Sequence, residues 1–309
     1  MRPLSMLCVA GVALSLHAQD VLVDVQVLRK GSNTPVPSLQ AKDLRILEDG
    51  VPQQIRHFSR DELPLSVVLL LDLSGTAQGA LKRLSEEAKA ALDHLKPQDE
   101  VAVMFYGETA RLVDGFSQDR ERTARAIADA AGMKSDEGAY SNEAVYQAAM
   151  QLRRCAAPSC RPLIVWLTDN IPTVPNARKP VHSEDQAIRA LHEGGVVVAP
   201  MLLKDAGSPP LIGVMSPILG RMTKPRPWGD ARKYAESTGG QAVGLRGKSP
   251  AERLGEMIDE LRARYTLGYR PAESKPAGTF CKLQVEFAPG GALRPNEWIV
   301  LARQGYYRK

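Results

Sequence analysis

From Asp20 onward apolar and polar positions alternate: Val21, Val23, Val25 and Val27 fall on one side of an extended chain, and Leu22, Asp24, Gln26 and Leu28 on the other. A period of two predicts a half-buried strand. Residues 43–47 and 54–58 repeat this texture around Glu48-Asp49-Gly50, whose Asp-Gly pair predicts a hairpin between them. At Leu65 the pattern changes. Residues 66–71 form a continuous apolar run, expected of a strand covered on both faces within a parallel sheet. Leu81, Leu84, Ala88, Leu92 and Leu95 then recur at helical spacing.

The two textures go on alternating. Residues 101–106 predict a second strand, and Thr123, Ile127 and Ala131 a helix after it. Ala144, Val145, Ala148 and Leu152 mark another helix, leading to an apolar strand at 163–167. Ser183 with Gln186 has the form of a capping box for a helix ending near Glu193, and residues 196–203 are the next strand. After a Pro/Gly-rich stretch, a helix over 231–237 stops at Gly239-Gly240, and a strand resumes at Ala242-Val243. Ser249, Pro250 and Glu252 open a last helix that runs to about Arg264. Such alternation implies right-handed crossovers and an α/β, Rossmann-like, doubly wound and mostly parallel sheet.

Past that core, β texture returns at 265–269, 280–287 and 298–303. Neither flanking segment has enough strands to bury a core alone, so the N- and C-terminal β segments are expected to pack together. The expected organisation is a signal peptide over 1–18, a β segment over 19–61, an α/β domain over 62–264 and a second β segment over 265–309.

Composition agrees with such a core: 309 residues, 44% hydrophobic and 24% charged. A net charge of +5 is too diffuse to argue for nucleic acid, and Arg221, Lys224, Arg226, Arg232 and Lys233 read as a solvated loop. The N-terminus has the form of an export signal: Arg2, an apolar run over 4–16, and Leu16-His17-Ala18 as a cleavage site before Gln19. That run is short for a membrane span. A soluble product, periplasmic or extracellular, is expected, with a retained N-terminal anchor as the competing outcome.

In an oxidising compartment Cys155 and Cys160 can close a short loop, and without a second pair or a close histidine they make no zinc site. Cys281 alternates with Leu283, Val285 and Phe287 and reads as a buried structural thiol. His57, His94, His182 and His192 show no metal-protease spacing and read as isolated surface residues.

The candidate chemistry sits where the first buried strand ends. Ligands of doubly wound sheets bind beyond the carboxyl ends of the strands, and Asp72 stands at such an end. Asp72, Ser74 and Thr76 alternate along a tight loop and can aim three oxygens at one point, with Gly75 easing the turn. Oxygen ligands suit a hard cation: magnesium, or else manganese or calcium. Asp169, closing the strand at 163–167, supplies a second carboxylate, and Ser141, ahead of the helix over 143–153, a further hydroxyl.

Asp72-Leu73-Ser74-Gly75-Thr76 resembles the DxSxS loop of von Willebrand factor A-type (VWFA) domains. Their metal-ion-dependent adhesion site also takes a Thr from a second loop and an Asp from a third. Leu47-Glu48-Asp49-Gly50, Phe58, Tyr265-Thr266-Leu267-Gly268-Tyr269-Arg270-Pro271 and Arg303-Gln304-Gly305-Tyr306 are similar to the VWFA-related proteins abundant in Acidobacteria. The likeness spans nearly the whole chain after the leader. It implies export and a non-catalytic role in binding a protein partner. The partner's carboxylate would complete the shell of a metal held by Asp72, Ser74, Thr76, Ser141 and Asp169.

The chain departs from that pattern in three places. Thr76 stands for the usual Ser and keeps the hydroxyl. Residues 138–143 lack the customary Gly-Gly-Thr: direct alignment puts Glu143 at the Thr position, and Ser141 substitutes only if the loop shifts. Asn170 stands where Gly is common after the Asp.

Three readings compete. Asp72 could simply cap the following helix. The chain could be a structural or envelope-interaction module without metal. The loop also differs by one residue from the DxDGT of haloacid-dehalogenase-type phosphatases, but Ser74 stands where those need an acid for proton transfer.

Overall fold

The computed structural model describes residues 20–36, 38–60, 63–134, 138–155, 159–171, 181–203, 229–271, 275–291 and 293–308. The leader at 1–18 and Arg221, Lys224 and Arg226 lie outside these residues; Arg232 and Lys233 lie inside them, on a helix rather than a loop. Strands β1 (Val21–Arg29), β2 (Leu44–Glu48), β3 (Val51–Gln53) and β4 (Ile55–Ser59) come first. The α/β core follows as β5 (Leu65–Asp72), α1 (Gln78–Leu92), β6 (Glu100–Tyr106), β7 (Ala110–Ser117), α2 (Arg120–Gly132) and α3 (Ser141–Gln151). It continues through β8 (Arg161–Thr168), α4 (Glu184–Gly194), β9 (Val197–Leu202), α5 (Ala231–Thr238), β10 (Val243–Gly244) and α6 (Pro250–Arg262). Last come β11 (Tyr265–Tyr269), β12 (Phe280–Phe287), β13 (Trp298–Ala302) and β14 (Gly305–Tyr307).

The central sheet has the order β10-β9-β8-β5-β6-β7 and is parallel except at its β7 edge. Strand β5 lies between β8 and β6, buried along its whole length. Its side chains alternate between two cores. Leu65, Val67, Leu69 and Leu71 meet Leu81 of α1, Ile127 of α2 and Leu254 of α6. Val68 and Leu70 enter the other core, with Val145 of α3, Leu191 of α4 and Tyr234 of α5. Each buried aliphatic side chain contributes about 1.5–3 kcal/mol, so a strand with helices over both faces has no use for polar alternation.

The caps read from the sequence are formed. Ser183 and Ser249 accept from the backbone N–H of Gln186 and Glu252, and both boxes are reciprocal. Helix α5 stops at Gly239, whose φ of 75° is the left-handed conformation that glycine adopts at least cost.

The flanking strands form two four-stranded sheets, β13-β1-β11-β4 and β14-β12-β2-β3, each drawing on both ends of the chain. Val23, Val25, Ile46, Leu267, Tyr269 and Cys281 meet between them, and Cys281 is a free, buried thiol. Strand β1 is more deeply covered than a period of two predicts, since Gln26 and Leu28 are buried as well. For Gln26 the reason is a second contact, on the other face of the strand, with the α/β core. Gln26 donates to the Glu260 carbonyl at 2.9 Å, and Arg161 pairs with Asp24 at 3.3 Å. Arg264 donates to Gln26 at 3.1 Å and to the Gly239 carbonyl at 2.7 Å; burial pulls its pKa down to about 10.

Three expectations are corrected. Asp49 and Gly50 both have positive φ, at 50° and 84°, as a tight hairpin turn requires. So short a turn pairs the residues directly beside it: β2 pairs with β3, while β4, which covers most of 54–58, crosses to the other sheet beside β11. Strand β7 has no counterpart in the sequence reading, because a half-exposed edge strand with register shifts against β6 shows no clean alternation. The histidines are not isolated, though His57 and His94 do lie at the surface. His192 is buried, His182 bonds Glu143 at 2.6 Å, His94 bonds Asp259 at 2.8 Å and His57 bonds Ser59 at 2.8 Å. Cys155 and Cys160 are joined by a disulfide just before β8.

Candidate metal centre

Asp72 is the last residue of β5 and is 1% exposed. After it the chain turns through Leu73-Ser74-Gly75-Thr76 before α1 starts at Gln78. The N-cap of α1 is Ala77, with no side-chain cap bond, so Asp72 does not cap the helix. Its carboxylate faces its own loop instead. Oδ1 accepts from the Ser74 backbone N–H at 2.9 Å, and the Ser74 and Thr76 hydroxyls lie 3.4 Å apart.

The loop after β8 arrives from the neighbouring strand. There Thr76 donates its hydroxyl proton to Asp169 Oδ2, and the other carboxylate oxygen accepts from the Ile171 N–H at 2.8 Å. Four of the five sequence-predicted residues thus form one connected cluster: Asp72, Ser74, Thr76 and Asp169. Thr76 is exposed while both carboxylates are buried, so the cluster runs from the sheet to the surface.

Ser141 is the fifth. It is the first residue of α3, buried, and its loop is drawn to the same end of the sheet by the Tyr140 N–H, which donates to the Gly107 carbonyl beyond β6. Among the described residues no hydrogen bond joins Ser141 to the other four. Glu143, at the position of the expected Thr, is engaged with His182 and with Gln147 at 2.8 Å.

The electrostatics fit a cation. Burial raises the pKa of Asp72, opposed by hydrogen bonds from Ser74 and then from Tyr106 and Thr168. Tyr106 is pushed well above the ordinary phenol range, by burial first and then by the charge of Asp72. Among the described residues neither Asp72 nor Asp169 pairs with a lysine or arginine. Among the described residues, two carboxylates and two hydroxyls thus stand together without a side-chain cation, a donor set of hard oxygens.

A second cluster makes the contrast. Ligand atoms of Glu48, Asp49 and Cys281 also lie within 4.8 Å of one another. There Glu48 accepts from Tyr269 at 2.5 Å and Tyr306 at 3.1 Å, and faces Arg308 at 3.5 Å. Lys275 pairs with Asp49 and lowers its pKa. The protein's own cations balance this group, so it serves the β unit as a buried ionic tie.

Three residues outside the sequence reading shape the site. Tyr106 and Thr168 hydrogen-bond Asp72, and Trp166 bonds Tyr106. The signal available was position: Tyr106 ends a strand beside β5, and Trp166 is a large aromatic with a polar N–H in an otherwise aliphatic run. Asn170 stands where the resemblance read from the sequence leads to an expectation of glycine. Its φ of 57° is the left-handed conformation for which glycine is favoured and asparagine tolerated. The side chain adds what glycine lacks: it donates to Asp230 at 3.0 Å and accepts from the Ala231 N–H at 2.9 Å, tying the site to the start of α5.

No family model matches the chain, and no curated protein resembles it significantly in sequence. Several solved structures are similar to it. The conserved hypothetical protein BatB of Bacteroides thetaiotaomicron aligns at 15% identity over 64% of this chain and 97% of its own, with a TM-score of 0.42. A von Willebrand factor type A protein from Catenulispora acidiphila aligns at 14% identity over 94% of this chain and 75% of its own, with a TM-score of 0.45. Proximal thread matrix protein 1 of the mussel byssus, solved with a zinc-occupied MIDAS motif, aligns at 10% identity over 65% of this chain and 48% of its own, with a TM-score of 0.41.

Proposed function

We propose that this chain is a non-catalytic binding protein of the VWFA-related kind, which engages a protein partner through a divalent cation: magnesium, or else manganese or calcium. One observation supports the reading above all others. Two loops from adjacent strand ends bring Asp72, Ser74, Thr76 and Asp169 into one cluster of two buried carboxylates and two hydroxyls, with no lysine or arginine paired to them among the described residues. Asp72 and Asp169 supply the charge, and Ser74 and Thr76 supply neutral oxygens that leave much of a cation's charge unspent. Ser141 is assigned as the further hydroxyl, from the first turn of α3. When bound there, a divalent ion supplies an electrophilic contact for a partner's carboxylate. Thr76 is the member open to solvent, which puts the partner on the side of the β5–α1 loop.

The same reading takes 1–18 as a cleaved export signal and places the protein in the periplasm or outside the cell. Among the described residues no helix is long and apolar enough to cross a membrane. The α/β domain is assigned to 62–264, with 19–61 and 265–309 as the two parts of one β unit.

Calorimetric titration of the purified protein with magnesium and manganese tests the proposal. Binding heat in the wild type that disappears in Asp72→Asn and in Asp169→Asn is expected. Absence of heat and of thermal stabilisation in the wild type would leave a metal-free interaction module as the surviving reading.

A further inference from the structure

The hydrogen bonds behind Asp72 run in one direction. Trp166 Nε1–H donates to Tyr106 Oη at 3.1 Å, and the Tyr106 hydroxyl donates to Asp72 Oδ2 at 2.8 Å. The Asn170 N–H donates to Thr168 Oγ1 at 2.9 Å, and the Thr168 hydroxyl donates to the same Oδ2, also at 2.9 Å. Each hydroxyl has a single proton, and both protons go to Oδ2. The 3.2 Å approach between the two hydroxyls therefore carries no proton of its own. With two donors, Oδ2 has its lone pairs filled by protein. Oδ1 instead accepts from the Ser74 N–H, in the loop whose Thr76 reaches Asp169. Asp72, Tyr106, Trp166 and Thr168 are all buried, so solvent does not loosen the arrangement.

We infer that Tyr106, together with Thr168, turns Asp72 into a one-oxygen ligand and thereby sets the site's preference for a small cation such as magnesium or manganese over calcium. The inference rests on the cation reading proposed above and goes beyond it by naming what selects the ion. Calcium takes about six to eight oxygens and readily uses both oxygens of a carboxylate. Magnesium takes one oxygen from each carboxylate and keeps several waters. A carboxylate with one oxygen closed off by two hydroxyl donors suits the smaller ion and denies the larger one a chelating grip. Tyr106 is a positioning residue in this account: it acts on the ion through Asp72.

The experiment is a comparison of affinities for magnesium chloride and calcium chloride, by calorimetry on the full chain, in the wild type, Tyr106→Phe and Thr168→Val. Tighter magnesium than calcium binding is expected in the wild type. In each variant the magnesium-to-calcium ratio should fall about tenfold, the effect of losing one charge-assisted hydrogen bond that holds Oδ2. General destabilisation weakens both ions alike and leaves the ratio where it was, so the ratio separates positioning from a structural role. Tyr106→Phe strands the buried Trp166 N–H; the double variant Tyr106→Phe/Trp166→Phe removes that defect and should show the same fallen ratio. Equal ratios in wild type and variants, or a wild type that prefers calcium, would overturn the inference and leave the cation reading standing. A wild type that binds neither ion overturns both.

Discussion

Thr76 donates its hydroxyl proton to Asp169, which stands 93 residues further along the chain at the end of another strand. The contact ties the loop after β5 to the loop after β8. In Thr76→Val the volume is kept and the oxygen lost, so magnesium affinity should fall by about tenfold or more. Thr76 is exposed, and the melting temperature of the metal-free protein should hardly move. Calorimetry and a thermal melt check the pair of outcomes, and an unchanged affinity removes Thr76 from the ligand set.

Asn170 combines a left-handed backbone with two side-chain hydrogen bonds. Asn170→Gly relieves the backbone and loses the bonds; Asn170→Ala loses the bonds and adds conformational strain. Urea denaturation should therefore rank wild type above Gly and Gly above Ala, with about 1–2 kcal/mol lost in the first step and about 1 kcal/mol more in the second. The reverse order of the two variants would show that the left-handed backbone costs alanine nothing, and a glycine variant as stable as the wild type would show that the side-chain bonds contribute nothing.

His192 makes one pH-dependent contribution to stability. Burial, with Arg303 nearby, pulls its pKa down from 6.5 to about 4. The unfolded imidazole gains a proton near its ordinary pKa while the folded one stays neutral. Its contribution is complete above about pH 6.5 and is lost progressively as pH falls towards about 4, by up to roughly 3 kcal/mol. Denaturation midpoints measured across that window should decline in the wild type and decline less in His192→Gln. Parallel profiles would assign the acid sensitivity to other groups.

The disulfide between Cys155 and Cys160 closes a short loop ahead of Arg161, the residue that opens β8 and pairs with Asp24. A loop of this size restrains the unfolded chain by about 2 kcal/mol. Cys155→Ser/Cys160→Ser should lower stability by about that amount, read from urea titrations with and without reductant. Reductant should shift the wild type and leave the double variant where it is.

The core of this fold could be read from the chain because burial writes directly into sequence. Residues 67–71 are apolar without a break since β5 is covered on both faces, and Ser183 and Ser249 begin helices because their oxygens meet orphan N–H groups. The same held for Asp72, Ser74 and Thr76, whose alternation in a strand-end loop is local. What escaped was set by distance. Gln26 is buried where it meets the Glu260 carbonyl, and no pattern around it says so. Tyr106 looks like one more strand residue until the neighbouring Asp72 turns its hydroxyl into a proton donor. Strand β7 is half-exposed and irregular, so its residues carry neither period.

Strand β1 lies between β13 and β11, so both its neighbours come from the far end of the chain. During synthesis this first strand waits, without a partner, until more than two hundred further residues have been made. The α/β core between them has its own sheet and can close earlier. Completion of the outer sheets thus waits for the strands at 265–269 and 298–302: a product cut short before them would carry an unpaired, valine-rich edge for quality control to find.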